Sequence, residues 1–300
     1  MKNLCRNLMI FVFAAISLLF SGKSAFCQHD IWLIDTHSVP WMSAEESDFA
    51  GVTYYHFVQN RWIPSGAEAF YSTQSPDVPL IVYTPGYTAT TSDTVEVGME
   101  IVRLLKTEKS YRIVFWDWPA SKITFGLGKD IRSKIPITMA NGIYQGMFLR
   151  SLKPHSRVCL LGFSFGNRII CDAVEMLKEG KPSPNLRIRL VLTASATDQN
   201  WLGRHSRHAH VPEIAEKILI LYNPMDRALR FYHLLYGVGC KVQALGRFGP
   251  PICSMAPEYR NRIEAVNVYP EVGPYHRTIY HLKSAAFRKR LNTYLFFEPH

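Results

Sequence analysis

A serine stands between two glycines at residues 162–166, in the sequence Gly-Phe-Ser-Phe-Gly. An apolar run at residues 158–161 precedes this pentapeptide, and apolar residues recur at helical spacing over residues 169–177. The pattern predicts a buried strand, a sharp turn and a helix, with Ser164 at the corner. Such a corner strains its central residue and brings the helix close to the strand, which favours glycine on both sides.

A strand-to-helix corner of this kind suits an activated serine. Ser164 is exposed to an incoming group there, and the N–H of Phe165 lies at the positive end of the helix, where it can stabilise an oxyanion. The loop at residues 84–87, after another predicted strand, is the candidate for a second donor through the N–H of Tyr87, with a simple turn as the alternative. Aromatic residues expected to line an acyl pocket, unless they belong to the core, are Phe163, Phe165, Trp116 and Trp118.

A serine nucleophile needs a base and an acid that orients the base. Asp226 follows a predicted strand and begins a helical pattern, so we predict that it is the acid, with an N-cap role as the alternative. Asp198, which follows the predicted strand before that of Asp226, is the alternative acid. Asp117, which ends a strand that precedes the serine in the chain, is a weaker choice. His276, in the loop after the last predicted strand, is the predicted base, with His281 near a terminal helix as the alternative.

Strands and helices alternate along most of the chain, which predicts an α/β fold: a mostly parallel sheet with helices on both faces. The predicted strands are residues 51–58, 61–63, 80–83, 112–116, 157–163, 188–193, 217–222 and 263–268. A helix is predicted to begin near Asp93, and another covers residues 139–152. Residues 195–216 leave no room for a large cap domain. Residues 119–138 are interpreted as a connection, either a small lid or an ordinary surface loop.

The first residues are typical of a secretory signal, because basic residues precede a short apolar core at residues 8–20 and small residues follow. Cleavage after Cys27 fits best, and the phenylalanine before it argues against a lipid anchor there. We therefore expect a secreted or periplasmic protein. Cys240 and Cys253 are a candidate disulfide pair in such a compartment.

The length that remains suits one large domain rather than two small ones. We predict a signal peptide at residues 1–27, N-terminal strands and an extension packed on the core at residues 28–79, and a catalytic domain at residues 80–300. The sequence leaves the oligomeric state open.

The chain is basic, and removal of the signal lowers the formal net charge from +10 to +7. We expect no nucleic-acid partner, because the cations are dispersed and no nucleic-acid-binding signature accompanies them. A weak association with anionic membrane surfaces is compatible with this charge. His205, His208 and His210 form a histidine cluster, but no rigid element or further ligand supports it, so we predict no metal site.

The loop at residues 84–87, the turn at Ser164, the stretch from Asp226 to Leu229 and then His276 follow one another in an order that resembles the α/β-hydrolase superfamily. From about residue 80 onward, the chain looks most like a bacterial branch of hydrolases of unknown function. Many superfamily members have histidine before the loop glycine, where this chain has proline.

The resemblance implies a cofactor-free serine hydrolase with Ser164 as nucleophile, Asp226 as acid and His276 as base. The expected substrate is a small acyl ester, cleaved through an acyl-enzyme. Two other classes stay open: a non-catalytic binding protein that kept the fold, and a peptidase or acyltransferase on the same scaffold.

Overall fold

The computed structural model describes residues 29–105, 107–178, 185–235 and 241–298. The predicted signal peptide lies outside these residues, and so does Cys240. Cys253 is exposed, and its pairing with Cys240 stays a prediction. No helix within the described part of the chain is both long enough and apolar enough to cross a membrane.

Nine strands form one sheet in the order β3-β2-β1-β5-β4-β6-β7-β8-β9. The strands are β1 (Asp30–Asp35), β2 (Thr53–Val58), β3 (Arg61–Ser65), β4 (Leu80–Thr84), β5 (Arg112–Asp117), β6 (Arg157–Phe163), β7 (Arg187–Thr193), β8 (Lys217–Tyr222) and β9 (Ile263–Asn267). The β1–β2 and β2–β3 pairs are antiparallel, and every other pair is parallel. This confirms the predicted α/β fold with a mostly parallel sheet.

Helices cover both faces of the sheet. The α-helices are α1 (Ala67–Thr73), α2 (Thr91–Leu105), α3 (Leu127–Arg150), α4 (Gly166–Met176), α5 (Val211–Ile214), α6 (Leu245–Phe248), α7 (Tyr269–Val272), α8 (Thr278–Lys283), α9 (Ala285–Arg288) and α10 (Leu291–Leu295). Short 3₁₀ helices span Glu46–Gly51, Leu229–Leu235, Ile252–Ser254 and Pro257–Arg262. The central strands are buried on both faces. Their apolar side chains divide into two clusters, one on each face of the sheet.

Two local predictions need correction, and the start of one helix is refined. Helix α3 begins at Leu127, so much of the predicted connection at residues 119–138 is helix, and it continues through Pro136. Helix α2 begins at Thr91, two residues before Asp93, because Thr90 and Asp93 form reciprocal capping bonds: Asp93 N–H donates to Thr90 Oγ1 over 3.2 Å, and Thr90 N–H donates to Asp93 Oδ2 over 2.9 Å. Strand β1 is not predicted at all.

Candidate active site

Ser164 lies at the corner between β6 and α4, with a backbone φ of +51°. Few non-glycine residues in proteins adopt this left-handed region, so the surrounding structure must hold Ser164 there. Its N–H donates to Thr193 O over 3.1 Å, and its carbonyl accepts from Ala196 N over the same distance. These two bonds fix the corner to the end of the neighbouring strand β7.

The two flanking glycines are required by close contacts. A Cβ on Gly162 would lie 2.2 Å from Asn167 Oδ1, and one on Gly166 would lie 2.2 Å from Thr84 O. Asn167, which the sequence analysis did not single out, is fully buried and donates through Nδ2 to Thr193 O over 2.9 Å and to Ser164 O over 3.3 Å. The sequence signal that could have identified Asn167 is a polar residue on the buried side of the predicted helix, three positions after the serine.

His276 lies between Ser164 and Asp226. Its Nε2 is 3.0 Å from Ser164 Oγ, and its Nδ1 is 2.7 Å from Asp226 Oδ2. In the tautomer that fits both contacts, Nδ1–H donates to the carboxylate and Nε2 accepts from the serine hydroxyl. Phe163 packs against the imidazole with ring centroids 4.8 Å apart. The structure therefore brings the three predicted residues into one hydrogen-bonded chain.

The Asp226 carboxylate caps the following 3₁₀ helix and faces His276. Its Oδ1 accepts from the backbone N–H groups of Ala228 and Leu229, each over 2.9 Å, and its Oδ2 faces His276. Burial of the Asp226 carboxyl opposes its ionisation. The hydrogen bonds that it accepts from His276 and from backbone N–H groups outweigh this effect and lower the pKa of Asp226 below its ordinary value. The carboxylate is thus held charged beside the imidazole.

The loops that carry the acid and the histidine are tied together. Asn223 is buried and donates through Nδ2 to Gly273 O over 2.7 Å, and Arg227 N–H donates to Pro274 O over 3.3 Å. These bonds fix the distance between Asp226 and His276.

The alternatives for acid and base make other hydrogen bonds. Asp198 accepts from Asn200 N–H over 2.8 Å and forms an isolated β-bridge with Ala244. His281, the alternative base, is fully buried, with its Nδ1 donating to Arg277 O over 3.0 Å. Burial lowers the pKa of His281 to about 4.

The predicted oxyanion donors lie on two adjoining segments. Phe165 directly precedes helix α4, and Gly86 lies so close to the corner that a Cβ on it would be 2.9 Å from Ser164 Cβ. Within the described residues, the N–H groups of Phe165 and Tyr87 make no hydrogen bond. They are therefore available to a ligand at the serine.

Side chains behind the loop at residues 84–87 hold it in place. Trp118 donates through Nε1 to Pro85 O over 3.0 Å, and the Tyr87 hydroxyl donates to the buried Asp130. Trp116 and Trp118 are fully buried, so the expectation that they line an acyl pocket is wrong, and Trp118 supports the loop instead.

Two cavities meet at Tyr87, Thr88 and His276. A mostly apolar pocket of about 320 Å³ opens beside Ser164 and contains Phe165 in its wall. A larger and more polar cavity of about 620 Å³ lies on the other side; Phe163 lines it together with Asp93, Glu96, Arg277 and several tyrosines. A substrate with one apolar and one polar half could occupy both cavities with its reacting bond at Ser164.

One group of described residues could hold a metal ion. The nearest ligand atoms of Asp35, His37 and Asp117, at the ends of β1 and β5, lie within 4.8 Å of one another. His37 Nδ1 is 2.6 Å from Asp35 Oδ1, and Asp117 accepts from threonine hydroxyls of α2. In the histidine cluster, His208 Nε2 is 2.7 Å from Asp172 Oδ1 and His210 contacts Glu175, so both bind carboxylates of α4.

A mostly parallel sheet, a strained serine at the end of a central strand, and an acid and a histidine after later strands together define an α/β hydrolase. A family model agrees: residues 68–269 match the family described as "Alpha/beta hydrolase of unknown function (DUF900)". The chain belongs to that family.

Solved structures with similar folds include a presumed hydrolase from Agrobacterium vitis S4, with 13% identity, a TM-score of 0.45, and coverage of 87% of this chain and 99% of the other. Esterase B from Lactobacillus rhamnosis has 9% identity and a TM-score of 0.39, covering 98% and 96%. A bacterial heroin esterase has 12% identity and a TM-score of 0.39, covering 97% and 90%. No curated protein matches the sequence.

Proposed function

We propose that this protein is an exported serine hydrolase that cleaves a carboxylic ester through an acyl-enzyme. The supporting observation is the continuous contact from Ser164 Oγ to His276 Nε2 over 3.0 Å, and from His276 Nδ1 to Asp226 Oδ2 over 2.7 Å. This is the geometry that a serine needs to lose its proton as it attacks.

In the first half of the reaction, His276 Nε2 takes the proton from Ser164 Oγ as that oxygen bonds to the ester carbonyl carbon. Negative charge develops on the carbonyl oxygen, where the N–H groups of Phe165 and Tyr87 can donate to it. The bond to the alcohol oxygen then breaks, and His276 gives its proton to the departing alcohol.

In the second half, His276 removes a proton from water as the water oxygen attacks the acyl carbon. Ser164 Oγ leaves, recovers the proton and releases the acid. Asp226 stays ionised throughout and stabilises the imidazolium that forms in each half. The chain's own residues carry both steps, so this reaction requires no cofactor.

The amino-terminal pattern supports action after export with residues 1–27 removed. Amino-terminal sequencing of the protein released by expressing cells should begin at residue 28. An uncut amino terminus on active protein would overturn this part of the proposal.

The main test is labelling of the processed protein with a fluorophosphonate probe, followed by mapping of the modified residue by mass spectrometry. We expect modification at Ser164, none in Ser164→Ala, and full modification in the control Ser92→Ala, which changes an exposed serine of α2. Turnover of acyl esters should fall by about a million-fold in Ser164→Ala.

A folded protein that resists the probe and cleaves no ester would contradict the proposal and favour a binding protein. Labelling at Ser164 with turnover of peptides but not of esters would move the activity to a peptidase.

A further inference from the structure

Two segments of the chain border the mouth of the apolar pocket beside Ser164. Residues 121–133 run from the loop after β5 into α3, and residues 224–233 run from the loop after β8 into the following 3₁₀ helix. Ile131 of the first segment and Phe231 of the second both line the pocket. We call these two segments the rim.

The rim exposes large apolar side chains. Phe125 is 93% exposed and Ile123 48% in the first segment; Met225 is 54% and Phe231 51% exposed in the second. Phe231 is thus both half exposed and part of the pocket wall, which places it at the mouth. Single exposed apolar residues are ordinary, but four on the two segments that line one cavity mark a surface built to contact something apolar.

The first rim segment is held by buried polar groups. Asp130 is fully buried and accepts from the N–H groups of Ile123 over 2.8 Å and Thr124 over 2.7 Å, as well as from the Tyr87 hydroxyl. Lys134, also buried, donates to Pro119 O over 3.1 Å. Phe125 therefore projects from a fixed loop that is bonded directly to the candidate oxyanion loop.

The rim also carries exposed positive charge. The exposed cations of the rim are Lys122, Lys129, Arg132, Arg227 and Arg230. Its two acids, Asp130 and Asp226, are 0% and 1% exposed and bonded inside. The guanidinium of Arg230 lies over the ring of Phe231, 4.7 Å from its centroid, so charge and apolar surface share one patch.

We propose that the rim docks on an anionic lipid surface, and that the pocket takes the acyl chain of an ester held in that surface. Apolar side chains enter the boundary between headgroups and acyl chains, while neighbouring cations meet anionic headgroups. Because the pocket opens between the two segments, docking would place its mouth against the lipid. The substrate part of this inference rests on the proposed function; the docking part does not.

The docking experiment uses Ser164→Ala protein, so that no lipid is hydrolysed. Sedimentation with vesicles of phosphatidylcholine and phosphatidylglycerol in equal amounts should show binding that weakens with added salt, and much weaker binding to phosphatidylcholine alone. Phe125→Ser should weaken binding to the anionic vesicles by about tenfold. Lys122→Glu with Lys129→Glu should weaken it by more than tenfold.

The matched control is Ile63→Ser with Arg61→Glu, on the outer strand β3, where an apolar and a basic residue are exposed at the far edge of the sheet. This variant should bind as the parent does. Absence of binding to anionic vesicles, or equal losses in the rim and control variants, would overturn docking.

A second measurement separates docking from catalysis. With Ser164 intact, Phe125→Ser should keep the parent's kcat/KM on a soluble short-chain ester and lose about tenfold on an ester embedded in anionic vesicles. Equal rates on the embedded ester would overturn the substrate inference. Rim-dependent vesicle binding by a protein that no ester or fluorophosphonate engages would leave docking standing and remove the proposed function.

Discussion

Asp226 uses its two carboxylate oxygens for different neighbours. One oxygen caps the 3₁₀ helix that follows and the other holds the imidazole of His276. The capping bonds fix the rotation of the carboxylate, so the oxygen that faces His276 cannot turn away. The sequence suggested Asp226 either as a helix cap or as a catalytic acid. In the structure, the helix that Asp226 caps positions its carboxylate.

Replacement of this carboxylate separates the two candidate acids. Asp226→Asn should keep the fold and lower kcat by about ten-thousandfold, because an amide cannot stabilise the imidazolium or enforce the tautomer of His276. Asp198→Asn, which changes the alternative acid, should keep kcat within about twofold, because the Asp198 carboxylate accepts from the Asn200 N–H of its own turn. Steady-state kinetics on one soluble ester measures both. A large loss in Asp198→Asn with a small one in Asp226→Asn would reverse the assignment.

His281 should make stability depend on pH. Burial lowers its pKa from 6.5 to about 4, so in mild acid the unfolded chain binds a proton that the folded chain does not. The contribution of His281 to the free energy of unfolding is fully present above pH 6.5 and is lost as the pH falls towards 4. This loss amounts to about 3 kcal/mol.

The variant His281→Phe removes this titration while filling similar space. Urea unfolding at several pH values should give a free energy of unfolding that falls less between pH 6.5 and 4 in the variant than in the parent. Parallel pH profiles for the two proteins would show that His281 does not titrate in this way.

At the scale of elements, the turn between β6 and α4 depends on close backbone contact. A Cβ on Gly166 would meet Thr84 O at 2.2 Å and Pro85 O at 2.5 Å, and both are backbone atoms that cannot move without shifting β4 and its loop. Gly128, in the first turn of α3, offers a matched contrast, because a Cβ there would only reach Arg132 Nη1 at 3.5 Å.

Gly166→Ala should therefore destabilise the protein by about 3 kcal/mol and reduce turnover, because the shift would move the candidate oxyanion loop. Gly128→Ala should be neutral or stabilise by up to about 1 kcal/mol, because alanine favours helix. Thermal unfolding compares the two. A Gly166→Ala protein as stable and active as the parent would show that the turn tolerates a side chain.

The strand that ends at Ser164 could be predicted because its apolar run and the following helical pattern lie side by side in the sequence. The start of α3 could not, since Pro136 and Gly128 suggest a loop, while the groups that hold this segment, Asp130 and Lys134, are bonded to residues outside the helix. Strand β1 pairs with the nearby β2, but it enters the parallel part of the sheet through β5, which lies about 80 residues away. The contacts that decided these elements were not local.

The fold and the three central residues of the site were predictable for a related reason. In a parallel sheet the ends of the strands meet at one edge, so residues that follow the strands are brought together whatever their separation in the chain. Distances and side-chain directions were not predictable. Nothing local indicated that Trp118 supports the candidate oxyanion loop, or that His281 is buried.

At the scale of the whole molecule, β1 joins the first strands of the chain to β5 and so to the rest of the sheet. Ile31, Trp32, Leu33 and Ile34 are each at most 5% exposed, and Asp30 pairs with the buried Arg112 at 2.5 Å. Burial of four such side chains contributes about 10 kcal/mol, which is comparable with the net stability of a domain.

A chain that begins at residue 80 should therefore fail to fold, although the match by motif starts there. We expect it to be insoluble or to lack cooperative unfolding, while a chain from residue 28 unfolds cooperatively. Circular dichroism with thermal unfolding makes the comparison. A soluble fragment that unfolds cooperatively and reacts with fluorophosphonate would show that the first three strands are dispensable.

His276 follows Ser164 by 112 positions in the chain, which decides when the chain can react. A ribosome makes the serine long before the histidine, and a chain held unfolded for translocation brings neither to the other. Under the proposed export, the precursor would therefore be inert towards esters inside the cell that makes it, and reactivity would arise only when the last strand has joined the sheet.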